Sequence, residues 1–181
     1  QQVLHGVGRD HLGHALAIAL VALTVVVELG GRAQQPIVEI VALLLELVRV
    51  DDCRRLIATA LERFGQIDIL VNNAVDATRA TVDDVTPEVF DRIFAVNLRA
   101  PLLLARHAIA SLRKQRGVII NIGSINAFMG EPSLLVYAAS KGALQTASRN
   151  MANYLKFDRV RVYCVNVGWM ATPGEDAVMR K

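Results

Sequence analysis

The sequence predicts a doubly wound α/β domain, a parallel sheet covered by helices on both faces in three layers. Three observations lead there. Short apolar, often β-branched runs alternate with helical patterns along the chain. Those runs lack the strict in–out alternation of a half-solvated sheet. Polar residues or glycine directly follow the runs, at Glu28, Asp51, Asn72, Ser124 and Gly168. In open α/β sheets ligands bind beyond the carboxyl ends of the strands, so this shared position itself points to a binding site.

Taken in order, the first run, Val3–Leu4, is ragged, and a helix is expected from about Gly13 to Leu23. The β-branched run 24-TVVVEL-29 reads as a strand ending in an acid. A helical segment over 37–44 precedes a further short strand, 47-LVRV-50, ending at Asp51. The stretch 54-RRLIATALERFG-65 is a helix closed by Gly65, and 67-IDILV-71 is a strand leading into the polar turn 72-NN-73. Thr86 caps the next helix with Pro87 at its first position and an acid behind it. That helix continues through 90–115 with a bend expected near Pro101. A strand over 118–122, a helix over 136–155 and a strand over 160–167 complete the pattern.

Composition narrows the function classes. At 181 residues, with 53% hydrophobic and 20% charged residues, the chain is expected to form one well-buried domain over 1–181. The net charge of +3 comes mostly from scattered arginines, and aromatics are only 5%, so no basic stripe with stacking rings is present to suggest nucleic acid. The longest stretch without Asp, Glu, Lys or Arg, 11–27, is too short to span a bilayer and holds two histidines. No membrane partner and no secretory leader are expected, which leaves the cytoplasm as the default compartment. Cys53 and Cys164 lack metal spacing and read as thiols of a reducing compartment. His5, His11 and His14 lie close together, but no further ligand completes a metal set.

The chemistry concentrates in 124-SINAFMGEPSLLVYAASKGAL-144. Tyr137 and Lys141 are i,i+4 on one helix and share a face. An ammonium beside a phenol favours the phenolate, so such a tyrosine can exchange a proton with an alcohol or carbonyl oxygen near neutral pH. Ser124, at the end of its strand, could present a hydroxyl to the same oxygen. A surface Tyr/Lys pair is the commoner meaning of this spacing taken alone. Asn97 interrupts an apolar helix and must find partners: it either braces backbone at the bend or holds a water that passes protons toward Lys141. His107 and Trp169 read as packing or surface residues. The turn 5-HGVGRDHLG-13 carries Gly6, Gly8 and Gly13, which serve either a pyrophosphate at a helix N-terminus or an ordinary glycine-rich loop. Glu28 either accepts from an adenosine ribose or is a strand-end acid facing water.

Together, 72-NNA-74, Asn97, 119-IINIGS-124, 137-YAASK-141 and 168-GWMATP-173 resemble the classical short-chain dehydrogenase/reductase family, from roughly Phe64 to Pro173. The resemblance implies a Rossmann-like fold, incomplete at the C-terminus because the family continues past the point where this chain stops. It implies hydride transfer between a nicotinamide cofactor, NAD or NADP, and a small-molecule alcohol or carbonyl substrate. Tyr137 then matches the general acid/base. Lys141 matches the residue that favours its phenolate and holds the nicotinamide ribose, and Ser124 the group steadying the substrate oxygen. Asn97 matches the proton-relay residue. Asn72 and Ala74 match the turn beside the cofactor, Asp51 the acid at the adenine ring, and Met170 and Thr172 the positions near the carboxamide. Glu28 leans the cofactor toward NAD, because an acid near the ribose repels a 2′-phosphate. Relatives form dimers or tetramers through helices matching 99–112 and 141–155, so a homodimer or homotetramer is expected. The chain departs from the family pattern at 5-HGVGRDHLG-13, at 72-NNAV-75 and at 167-VG-168. These departures keep a second reading alongside the enzyme: a cofactor-binding or structural member that does not turn over.

Overall fold

The computed structural model describes residues 49–169, together with the backbone of a short strand, β1 (Thr24–Val26). The elements that follow are α1 (Val50–Phe64), β2 (Ile69–Asn72), α2 (Pro87–Phe94), α3 (Ala100–Gln115), β3 (Val118–Ser124), α4 (Leu135–Leu155) and β4 (Arg161–Val167). The strands form one sheet in the order β1-β2-β3-β4. From β2 onward the pairing is parallel, with Asn72 opposite Asn121 and Ser124 opposite Val167. Each parallel connection passes through a helix, as parallel pairing requires. This is the helix-flanked parallel sheet of a Rossmann-like α/β/α domain.

Burial sets the inward face of the sheet. Leu70 and Asn72 on β2 alternate with half-buried Ile69 and Val71, and Ile119 and Asn121 on β3 alternate with half-buried Ile120 and Ile122. Over the inward face lies a cluster of Cys53, Ile57 and Ala60 from α1, Leu104, Ala108 and Leu112 from α3, and Leu155 from α4. Burying each of the large aliphatic side chains contributes about 1.5–3 kcal/mol. The apolar stretch 87–115 owes its hydropathy to this packing, since half of its most apolar window is buried.

Local sequence explains the helix ends. Thr86 Oγ1 accepts a hydrogen bond from the Val89 amide at 3.3 Å, and Pro87 follows in the first turn, where no N–H is needed. Gly65 ends α1 in the left-handed region at φ 77°, its amide donating to the Leu61 carbonyl at 2.8 Å.

Three expectations change. Residues 47–50 do not end in a strand: Arg49 is a bend and Val50 opens α1. Asp51 and Asp52 sit in that helix's first turn, where acids favour the N-terminal dipole, and Asp52 pairs with Arg49 and Arg55. The strand in 24–29 is confirmed as Thr24–Val26, but it runs antiparallel to β2, with Thr24 opposite Val71. An apolar run reports burial and not direction, and an antiparallel edge strand on a parallel sheet is common. Finally, the irregularity expected at Pro101 lies just before it, as a single π-helical turn over Ala95–Arg99 that inserts between α2 and α3.

Candidate active site

The carboxyl ends of β2 and β3 and the first two turns of α4 carry the site. Ser124 is the last residue of β3 and is 4% exposed. Its Oγ accepts from the Asn126 amide at 3.2 Å and so caps a 3₁₀ turn, Ile125–Phe128, leaving the hydroxyl proton free to donate elsewhere. α4 then presents half-buried Tyr137 and buried Lys141. The Lys141 Nζ lies 5.8 Å from the Tyr137 ring centroid and donates to the Ile122 carbonyl at 2.7 Å, two residues before Ser124. The lysine is thereby tied to the strand that delivers the serine. Burial pulls its ammonium down to about 8, against an opposing influence from Cys164 on β4. Among the described residues, two of its three N–H groups remain for other acceptors.

Asn97 lies in the π-helical turn, 1% exposed. Its side chain is committed on both ends: Oδ1 accepts from the Asp76 amide at 2.8 Å, while Nδ2 donates to the Asp76 carbonyl at 2.9 Å and to Ser140 Oγ at 3.0 Å. Its amide thus braces backbone, but at Asp76 after β2 rather than at the bend before Pro101. Its main-chain carbonyl is a different matter. Pro101, four residues on, has no N–H, so the ordinary helical bond to that carbonyl cannot form.

Asn72 ends β2 and donates to Asn121 Oδ1 at 2.7 Å; Asn121 in turn donates to Ser148 Oγ on α4 at 2.8 Å. All three are buried. This polar chain pins β2 and β3 to α4. It leaves Asn72 Oδ1 buried without a partner among the described residues. A buried amide oxygen without a donor is costly and calls for one. Its place at the end of β2, two residues before buried Ala74, suits a ligand with donor groups at the sheet's carboxyl edge. The residues present thus fit a nicotinamide cofactor: Asn72 offers an acceptor, Lys141 offers donors, and Tyr137 stands one turn before Lys141.

The structure brings Asn97 and the Tyr137–Lys141 segment together through Ser140, and Ser124 and Lys141 together through β3. It places Asp51 elsewhere, exposed in α1 and paired with Arg54 at 3.5 Å, rather than behind a strand. Gly6, Gly8, Gly13, Glu28, Met170 and Thr172 lie outside the described residues, as do His5, His11 and His14. Cys53 is buried and Cys164 half-exposed. Four contributors went unnoticed in the sequence: Asp76, Ser140, Asn121 and Ser148. Asn121 had a visible signal, a polar residue at an inward position of an otherwise apolar strand. Ser140, three residues after Tyr137 on the same helix, had one as well.

A strand-end serine stands with a tyrosine and a buried lysine one helical turn apart on the adjoining helix of a Rossmann-like α/β domain. The short chain dehydrogenase family matches residues 10–181, and the chain belongs to that family. It is 39% identical over 124 residues to a glucose and ribitol dehydrogenase of Daucus carota, covering 68% of this chain and 42% of that protein. An NADH-dependent reductase solved with NAD is 32% identical with a TM-score of 0.65, covering 68% of this chain and 54% of that one. A blue fluorescent protein from a metagenomic library, solved with NADPH, is also 32% identical, with a TM-score of 0.67 over 71% of this chain and 52% of that one. The chain spans about half the length of these relatives.

Proposed function

We propose that this protein is an oxidoreductase that transfers a hydride between a nicotinamide cofactor and an alcohol or carbonyl substrate, with Tyr137 as general acid/base. The observation that carries this is the buried Lys141 ammonium, 5.8 Å from the Tyr137 ring and bonded to the strand that ends in Ser124. The cofactor, when bound, supplies the hydride. Everything else is proton handling and orientation by the chain. Ser124 Oγ donates to the substrate oxygen. Tyr137 delivers a proton to that oxygen in reduction and removes it in oxidation, its phenolate favoured by the neighbouring ammonium. The two remaining Lys141 N–H groups hold ribose hydroxyls. Since the Asn97 amide is spent on Asp76 and Ser140, any water that it relays sits on its main-chain carbonyl, which Pro101 leaves without its helical donor.

The test is Tyr137→Phe. Removing the hydroxyl should abolish cofactor-linked absorbance change across a panel of aldehydes, ketones and sugars, while NADH fluorescence titrations show binding retained. Turnover that survives the substitution would sink the mechanism. Parent protein that binds no NADH or NADPH at millimolar concentration would favour the structural, non-catalytic member of the family.

The cofactor leaning is toward NAD and rests on the Glu28 carboxylate, which would repel a 2′-phosphate. Glu28→Ala should narrow the preference for NAD over NADP; equal selectivity before and after refutes it. For assembly, the expected dimer or tetramer would pack along α3 and α4; an apolar groove lined by Phe94, Leu98, Arg99, Leu102 and Leu103 lies at the start of α3.

A further inference from the structure

A continuous hydrogen-bonded chain runs from an exposed arginine to the backbone of the proposed proton donor. Arg92, on α2, is half-exposed; its Nε donates to Asp76 Oδ2 at 2.7 Å and its Nη2 to Thr78 Oγ1 at 2.9 Å. Thr78 closes the other side of the carboxylate, its amide and hydroxyl donating to Asp76 Oδ1 at 2.9 and 2.6 Å. The Asp76 backbone holds the Asn97 amide at both ends, at 2.8 and 2.9 Å. Asn97 donates to Ser140 Oγ at 3.0 Å, and Ser140 Oγ donates to the Tyr137 carbonyl at 2.6 Å. The middle of this chain is enclosed: the Asp76 side chain is 10% exposed, and Asn97 and Ser140 are buried.

We propose that Asp76 and Arg92 are positioning residues of the active site: their ion pair locks the segment after β2, which fixes the Asn97 amide and, through Ser140, the backbone of Tyr137. The inference rests on the function proposed above. Its physical basis is that the segment 73–80 has no helix or strand of its own apart from one bridge at Ala80. Something must hold Asp76 where both of its backbone groups meet one side chain. A carboxylate with donors on each oxygen does so far better than an unanchored loop. Burial of Asp76 pushes its carboxyl up, but the hydrogen bonds from Thr78 and Arg92 and the charge of Arg92 outweigh that and hold it below its ordinary value. The carboxylate therefore stays charged, and the clamp closed, at any pH where a dehydrogenase is assayed. The pair acts through the groups that it orients.

The experiment compares Arg92→Met, Arg92→Lys and Asp76→Asn with the parent chain. Misplacing a proton-transfer group by a fraction of an ångström is costly, so Arg92→Met should lower kcat about tenfold or more. NADH affinity should stay within about twofold of the parent, because the altered groups lie off the Lys141 donors. The solvent deuterium isotope effect on kcat should rise as proton transfer becomes slower. Arg92→Lys should recover part of the loss, and Asp76→Asn, which keeps the Thr78 contacts but loses the charge, should fall between them. A folded Arg92→Met protein with kcat within about twofold of the parent overturns the proposal, as does a loss that merely follows NADH affinity. A parent without turnover on any carbonyl would refute the proposed function instead. In that case the Asn97 side-chain amide decides: its hydrogen exchange, read by NMR, should quicken about tenfold or more in Arg92→Met relative to core backbone amides. Unchanged exchange rejects the clamp.

Discussion

Burying Lys141 should leave a mark on stability that depends on pH in a known direction. Its ammonium is pulled from 10.5 to about 8 by burial. At about 1.4 kcal/mol per pH unit, that drop is about 3 kcal/mol. The sign follows from proton counting. Below pH 8 both folded and unfolded chains carry the proton, and the folded chain bears the full cost of a desolvated charge. Between pH 8 and 10.5 the folded chain has lost the proton while the unfolded chain keeps it, so stability rises with pH. Above 10.5 the difference is flat. Lys141→Met abolishes this dependence. The comparison is made with Tyr137→Phe and Cys164→Ala in both chains, so that the two titrating neighbours of the lysine are absent. Urea unfolding followed by circular dichroism at intervals from pH 7 to 10.5 should then show the lysine chain gaining about 3 kcal/mol on the methionine chain. The hydrogen bond to the Ile122 carbonyl shifts the two curves by a constant and leaves the slope untouched. Parallel curves would refute the reasoning, because a lysine that costs nothing to bury is not in the environment described here.

Two further outcomes test the fold. Thr86→Ala removes the oxygen that caps α2, bonded to Val89 at 3.3 Å, and should lower the unfolding free energy by about 1 kcal/mol in urea titrations. Gly117→Ala should cost about 1–3 kcal/mol: a methyl group there would overlap the Asp68 carbonyl and approach Leu112 Cδ2 to 2.8 Å, and a melting temperature equal to the parent's would contradict that close approach.

How much of this was legible in the sequence depends on the range of the interaction involved. The cap at Thr86, the stop at Gly65 and the Tyr137–Lys141 face are local, set by residues within one turn of each other, and they appear where the patterns place them. The parallel pairing of β2, β3 and β4 followed from alternation with helices. Asp51 failed for a local reason too. The run 47-LVRV-50 is apolar enough for a strand, but two acids and then 53-CRRLIATALERF-64 extend a helical pattern backward, and Asp51 is absorbed into its first turn. The direction of β1 could not be read, because a β-branched triplet pairs equally well either way. Asp76 was invisible because it meets Asn97 twenty-one residues away through backbone groups, which leave no trace in residue type.

The π-helical turn shows why the long-range part matters for chemistry. Asn97 sits in this turn with its side-chain amide bonded to Asp76 and Ser140. The insertion over Ala95–Arg99 shifts the hydrogen-bond register by one residue, with the Ala100 amide donating to the Ala95 carbonyl, and Pro101, four residues beyond Asn97, brings no N–H to its carbonyl. Pro101 is therefore less a hinge than a missing donor. Replacing it with alanine should straighten nothing, since the π-helical turn precedes it, but would restore an N–H four residues beyond Asn97. On the function proposed here that change closes the carbonyl to water and slows proton supply to Tyr137. It should raise the solvent isotope effect on kcat while helix content measured by circular dichroism holds or increases. An unchanged isotope effect would remove the Asn97 carbonyl from the proton path.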